Sequence, residues 1–279
     1  MKNLSESEYD LIIETGRTEL HYWKDLWLYR ELFFFLSWRD ILVRYKQTTL
    51  GIAWSVLRPL LTMIVFTIIF GKFARLPSEG IPYPIFVYAA MLPWQFFSSS
   101  LTESSNSLIS NSHIIAKIYF PRIIIPASTV IVSLVDFLIS SFILCLIMVW
   151  YKYLPDWRIV TLPVFLLLSF VASFGIGLWL SSLNVKYRDF RHIVPFLVQF
   201  GLYISPVGFS SSIVPERWRL FYSINPMVGI IDGFRWALFG GDVKIYLPGL
   251  LFSIVLAMLI FASGVWFFRK TERTFADNI

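Results

Sequence analysis

Three ionisable side chains stand inside long apolar runs of the sequence: Arg58, Glu103 and Asp136. An uncompensated charge at the centre of a bilayer costs at least about 2.5–3.5 kcal/mol, so such groups pair, face a cavity, or mark a path for ions and protons. Arg58 lies about two turns into the first run and Glu103 near the end of the second, depths at which the two can meet. Asp136 lies near the middle of the third. It reads as a helix-to-helix contact or as one station of a proton relay. The contact is favoured, because a relay needs several such groups and only one clear midplane acid is present. Cys145 reads as a small apolar packing residue.

Other chemistry is mostly missing. His21, His113 and His192 lie far apart and form no HExxH pair. There is no CxxC, no GxxxxGK phosphate loop, no GxSxG elbow and no DxD or DDxxD carboxylate pair. The serine runs 98–100 and 210–212 lack a histidine and acid at recognisable spacing, and read as small polar residues that ease helix contact or turn a loop. Without a phosphate loop, the chain has no such means of binding ATP. No cofactor or metal is expected in it.

The elements that must position these residues follow from composition. Of 279 residues, 57% are hydrophobic and only 15% charged, where about a quarter is usual for soluble domains. Aromatic residues make up 18%. Disorder and a disulfide scaffold are excluded, and a soluble enzyme is disfavoured because the polar residues cannot cover this much apolar surface. A net charge of +6 reads here as cationic loops facing anionic lipid and not as a nucleic-acid site.

Six runs approach the roughly 20 apolar residues that a spanning helix needs: 52–71, 84–105, 123–150, 159–183, 193–209 and 247–268. The expected fold is therefore an all-α polytopic membrane protein. With the N-terminus inside, the inner segments hold 15 Lys and Arg against 8 outside, which favours both termini in the cytoplasm. No cleavable signal peptide is visible. Residues 1–29 form an N-terminal extension without an assignable role, and residues 271–279 a cytoplasmic tail.

Three loops stand out. Residues 30–50 form an amphipathic interfacial helix, with Trp38, Ile41, Leu42 and Tyr45 on one arc and Arg39, Asp40, Arg44, Lys46 and Gln47 on the other. The inner loop 106–122 contains a short helix expected over His113–Phe120, a natural docking knob. The segment 210–246 carries two short apolar stretches, Ile224–Ile231 and Phe234–Phe239, punctuated by Pro and Gly. It reads as a re-entrant helical hairpin between the fifth and sixth spans, against the plainer reading of a surface loop. Aromatic residues recur at span ends and on helix faces: Tyr45, Trp54, Phe66, Trp94, Phe97, Phe200 and Tyr203 are the candidates for lining a passage, and an ordinary interfacial belt is the alternative.

The order of these pieces carries a resemblance. Arg39-Asp40-Ile41-Leu42-Val43-Arg44-Tyr45-Lys46-Gln47-Thr48 is followed by Leu50-Gly51-Ile52-Ala53-Trp54 and Arg58-Pro59. Then come Met91-Leu92-Pro93-Trp94-Gln95-Phe96-Phe97, Lys117-Ile118-Tyr119-Phe120-Pro121-Arg122, Leu183-Asn184-Val185-Lys186-Tyr187-Arg188-Asp189 and Asn225-Pro226-Met227. Over about residues 30–270 the chain resembles the permease subunits of ABC-2 type exporters of lipid-linked polysaccharides, the O-antigen, capsule and teichoic-acid exporters.

The resemblance implies a homodimer in the bacterial inner membrane, with two copies of a separate ABC ATPase holding the ATP and Mg. It implies that Ser112, His113, Ile114, Ile115, Lys117, Ile118 and Tyr119 couple the chain to that ATPase. It implies a glycan on an undecaprenyl-pyrophosphate type carrier as cargo, most in keeping with O-antigen or capsule. The pyrophosphate would be met at the interface by Arg39, Arg44 and Lys46, residues that equally suit anchoring to lipid headgroups. The alternatives are a same-fold exporter of another lipid or amphiphile, an integral-membrane glycan-processing enzyme, and an ion-coupled carrier, for which no clear internal repeat is found.

Overall fold

The computed structural model describes residues 19–46, 51–187, 189–243 and 245–275. Residues 1–18, 47–50, 188, 244 and 276–279 lie outside the described residues, and with them most of the N-terminal extension, Gln47 of the basic segment and the end of the tail. The described residues are helical, without a strand. In chain order they form α1 (Glu19–Leu28), α2 (Arg30–Lys46), α3 (Gly51–Phe66) with a π-helical continuation (Thr67–Phe73), and α4 (Tyr83–Ser110). Next come α5 (Ser112–Ile115), α6 (Ile124–Trp150), α7 (Leu162–Lys186), α8 (Phe190–Ile204), α9 (Glu216–Tyr222), α10 (Pro226–Phe239) and α11 (Leu247–Thr271).

Among the described residues, four helical stretches are long and apolar enough to cross a membrane: Ala53–Phe73, Ile124–Trp150, Trp157–Lys186 and Leu247–Thr271. The other two expected spans correspond to α4 and α8. The first is long, at 28 residues, but rich in serine; the second has only 15 residues. Most of the α4 serines meet their hydrogen-bonding needs close by, Ser100 Oγ being a buried exception without a partner. Ser104 Oγ donates to Ser100 O at 2.6 Å and Ser107 Oγ to Ser104 O at 2.7 Å, within the helix itself. Such back-bonded serines let neighbouring helices approach closely. Accordingly α4 is the central helix, packed against α6, α7 and α10, with Phe86, Val87, Tyr88, Ala89 and Ala90 fully buried.

The core has two parts. One is built around α4 and α10. The other, at the opposite end of α4, joins Tyr22 and Leu26 of α1, Leu36 of α2, Ile115 of α5, Phe120, and Phe268 and Phe275 at the chain's other end. Both described ends of the chain therefore sit at one end of the bundle, called here the termini end. Arg122 ties them further, its backbone N–H donating to Glu272 Oε1 at 2.6 Å and its guanidinium to Glu272 O. Burial pushes the Glu272 carboxyl above its ordinary range, with the Arg122 contact opposing it. Burial likewise pushes the Tyr22 hydroxyl up, helped by the neighbouring Glu272.

Helices α7 and α11 cross with glycine on both sides. A Cβ on Gly175 would lie 2.6 Å from Phe261 Cα, and one on Gly264 would strike the Gly175 carbonyl. Backbone cannot yield as a flexible side chain can, so close approach of this kind selects glycine. Gly264→Val should cost about 1–3 kcal/mol through overpacking. It should lower the melting temperature of the detergent-solubilised chain by roughly 5 °C, as read by fluorescence-detected size-exclusion after heating. An unchanged melting profile would show that α7 and α11 do not meet there.

The segment 210–246 differs from its expected form. The two apolar stretches are not separate short helices but one continuous buried helix, α10, preceded by the short α9. Gly229 and Gly233 do not break it. They are close contacts, a Cβ on Gly229 lying 2.7 Å from Ser253 Oγ and one on Gly233 running into the Phe165 ring. Helix α8 also ends early, at Ile204 where the expected span continues to 209. The non-helical residues after it are held instead by Arg235, which is only 1% exposed. Its guanidinium donates to the carbonyls of Pro206 at 2.7 Å, Val207 at 2.9 Å, Phe209 at 3.0 Å and Phe86 at 3.2 Å. It lies 3.6 Å above the Phe86 ring.

Candidate functional site

At the termini end, α2, α4, α5 and α6 enclose a cavity of about 530 Å3. Its wall carries Arg39, Asp40 and Arg44 from α2, Glu103 from α4, and His113 from α5. The sequence places Asp40 and Arg44 on one face of α2 at i and i+4, with Arg39 about 100° round the helix from Asp40. Arg39, Asp40 and Arg44 of the expected polar arc line the cavity, while Lys46 of that arc is exposed. Of the expected apolar arc, Trp38 and Leu42 are exposed and Tyr45 turns inward to Asp136.

Each expected cation has a different fate. Arg39 Nη2 shares its protons between Asp40 Oδ1 at 2.7 Å and Asn111 Oδ1 at 2.8 Å. Arg44 reaches Asp136 Oδ2 at 2.7 Å through one terminal nitrogen and Glu103 Oε1 at 3.4 Å through the other. Lys46 is exposed at the end of α2. The cavity is therefore charge-compensated, with two arginines set among Asp40, Glu103 and Asp136.

Asp136 is the deepest member, its side chain 7% exposed. Besides Arg44 it accepts from Tyr45 Oη and Ser55 Oγ, both at 2.6 Å. Three hydrogen bonds from α2 and α3 converge on one carboxylate of α6. That is the helix-to-helix contact expected of it, and Tyr45 takes part in this contact. The expected Arg58–Glu103 pair is not formed. Arg58 is exposed on α3, and Arg44 engages Glu103 because α2 lies alongside α6 and brings Arg44 to it.

The inner loop departs from its expected form in an instructive way. The helix is Ser112–Ile115 and not His113–Phe120. Ile115 and Phe120 are both buried in the termini-end core. In an unbroken helix, five residues at about 100° each would set them about 140° apart, on nearly opposite faces. Ending the helix lets both point inward and leaves Lys117, Ile118 and Tyr119 exposed, with His113 exposed on α5 and Ser112 and Ile114 half-buried. Asn111 caps the junction, its amide donating to Ser107 O at 2.9 Å while its carbonyl holds Arg39.

Of the remaining aromatic candidates, Phe66, Trp94 and Phe97 are buried inside the single chain. The Trp94 ring lies against Phe97, centroids 5.5 Å apart, and fills the space that a Cβ on Gly201 would need. Trp54 of α3 and Phe200 and Tyr203 of α8 are exposed and present ring surface outward. Asn111 reads in the sequence as a capping residue beside the short inner helix, and the structure adds its contact to Arg39. Arg235, a lone cation between Phe234 and Trp236 in an apolar stretch, carries a readable signal, whereas Ser55 carries none.

The ABC-2 type transporter family model matches residues 31–239. The chain is 28% identical over 259 residues to the O-antigen export system permease protein RfbA of Myxococcus xanthus, covering 92% of this chain and 98% of that one. It is 30% identical over 249 residues to the permease of the same name from Klebsiella pneumoniae, covering 86% and 91%. It is 24% identical over 211 residues to the polysialic acid transport protein KpsM of Escherichia coli, covering 74% and 80%.

Proposed function

The chain belongs to the ABC-2 type transporter family, and on that basis we propose that it is the permease subunit of an ATP-driven exporter of a lipid-linked polysaccharide of the O-antigen or capsule kind. The observation that carries the cargo assignment is similarity along almost the whole length to permeases named for O-antigen export. A transport permease needs no catalytic cluster of its own, in keeping with a site built of compensated charges.

In this reading six helices cross the inner membrane: α3, α4, α6, α7, α8 and α11. An even count agrees with the two chain ends sharing one core cluster. The termini end is cytoplasmic, and α9 and α10 form the re-entrant hairpin at the other side. Two copies pair, the exposed Trp54, Phe200 and Tyr203 facing the passage between them. Stacking of such rings on the C–H faces of sugars lets a glycan slide without tight binding. Two copies of a separate ABC ATPase carry the ATP and Mg and dock on the exposed turn Lys117–Tyr119.

The carrier pyrophosphate is met at the termini-end cavity. Arg44 holds Glu103 at only 3.4 Å, so an arriving phosphate oxygen can replace that long contact with a shorter charge-assisted bond. Arg39 lines the same cavity and Lys46 extends the cation row.

The test is a tagged pull-down from native membrane with ATPase assay of the eluate. A phosphate-loop ATPase chain should co-elute in equal amount. Ile118→Glu with Tyr119→Glu should lower its recovery at least about tenfold, since both side chains are exposed and their replacement leaves the core intact. Ile115→Glu is the wrong probe, because Ile115 is buried and its loss reports folding. A folded chain that elutes without any ATPase would overturn the reading.

A further inference from the structure

A second opening lies at the end of the bundle away from the termini, between α3 with its π-helical continuation and the last turns of α6. Its volume is about 570 Å3. Closer to the termini end the start of α3 is joined to the middle of α6, Ser55 Oγ donating to Asp136 and Ser140 Oγ to Ser55 O. The groove between the free halves is aliphatic, walled by Leu60, Met63, Ile64 and Ile68 on one side and Leu146 and Ile147 on the other. The positions on α3 recur at three and four residues, one helical face.

Two polar groups interrupt this wall at defined heights. Thr67 Oγ1 is buried and has no hydrogen-bond partner. Lys72 stands exposed at the rim, where Trp150 and Tyr151 also lie. A buried hydroxyl without a partner is destabilising, so a ligand oxygen brought to it by a change of the threonine rotamer would relieve it. The π-helical turn that carries both groups is a rare geometry, found often at functional sites. From Lys72 at the rim the groove descends roughly 16 Å to Leu60, the π-helical turn rising less per residue than the 1.5 Å of an α-helix. That matches one leaflet of a hydrocarbon core about 30 Å thick. Aromatic residues and lysine at the rim are the side chains that sit at headgroup level.

We propose that this groove binds one glycerophospholipid of the leaflet facing away from the termini, with an acyl chain along Leu60–Ile68, an ester carbonyl on the Thr67 hydroxyl and the phosphate on Lys72. The spacing suits that ligand. Thr67 lies five residues before Lys72, roughly one π-helical turn deeper, and in a glycerophospholipid the ester carbonyls lie one glycerol unit below the phosphate. A polyprenyl phosphate has no ester carbonyl and would leave Thr67 unanswered. The inference needs only a membrane-spanning chain and is independent of the exported cargo.

The experiment is native mass spectrometry of the full-length chain, purified with whatever subunit accompanies it, after addition of phosphatidylglycerol. One phosphatidylglycerol should be retained per chain. Lys72→Gln should lower retention about fivefold and Thr67→Val about two- to threefold, while Ile64→Trp, which fills the groove, should abolish it. Ile64 and Lys72 are exposed and Thr67→Val is close to isosteric, and unchanged elution volume confirms that the variants fold. Equal retention in wild type and Ile64→Trp would overturn the proposal. So would stronger retention of undecaprenyl phosphate than of phosphatidylglycerol, or disulfide capture of position 64 by a second copy of the chain. Loss of export with lipid retention intact would bear on the transport reading alone.

Discussion

Arg235→Leu is expected to prevent folding at 37 °C, or to lower the melting temperature by about 10 °C or more. The guanidinium is 1% exposed and donates to four backbone carbonyls, three of them in the non-helical stretch Pro206–Phe209. That stretch has left α8 and cannot satisfy its carbonyls by helical hydrogen bonds. Each buried acceptor left bare costs about 1–3 kcal/mol, so losing several together exceeds about 4 kcal/mol, at the far end of what single substitutions do. The stacking of the guanidinium over Phe86 is lost as well. Arg235→Lys keeps the charge but offers a point donor in place of a planar fork, and cannot reach carbonyls in several directions. It should fall between wild type and Arg235→Leu. Thermal melts in detergent decide the matter: a wild-type melt for Arg235→Leu would mean that another group organises the segment after α8.

The second large effect is at Asp136. Arg44→Gln removes the cation and leaves the carboxylate with only the Tyr45 and Ser55 hydroxyls. Breaking a fully buried pair costs about 3–5 kcal/mol. Arg44 is a third exposed, so about 2–4 kcal/mol is expected here, solvent screening taking the rest. Asp136→Asn added to Arg44→Gln removes the orphaned charge while keeping an acceptor for both hydroxyls, and should restore most of the lost stability. This cycle also separates two roles of Arg44. If the double variant is stable but export of surface glycan stays low, Arg44 acts on the cargo. If stability and export return together, Arg44 serves only to hold α2 on α6. A double variant no more stable than Arg44→Gln alone would remove the Arg44–Asp136 pair from the account.

Much of this was legible in the sequence. A chain that is 57% hydrophobic and 15% charged must place its helices in lipid. The 3.6-residue period of Arg30–Lys46 separates its polar and apolar arcs whatever they later face. Asp136, alone in the middle of an apolar run, had to find partners on neighbouring helices, and the ordered motifs from Arg39 to Met227 pointed to the family. These are properties of composition and local spacing, and no tertiary contact is needed to read them.

What only the tertiary structure decided is who meets whom. Arg44, not Arg58, takes Glu103, because α2 folds back onto α6 and a residue 59 positions away becomes nearer than depth alone suggests. The short inner-loop helix stops at Ile115 because Ile115 and Phe120 must both enter a core that also receives α1 and the end of α11. Gly229 and Gly233, which read as breakers, are close contacts inside a continuous helix, since their missing side chains make room for Ser253 and Phe165. Helix α4 is central yet too polar for a hydropathy criterion, because several of its serines bond back to the helix's own carbonyls and much of its surface meets protein. In each case the sequence set the chemistry a residue offers, and long-range packing chose the partner that uses it.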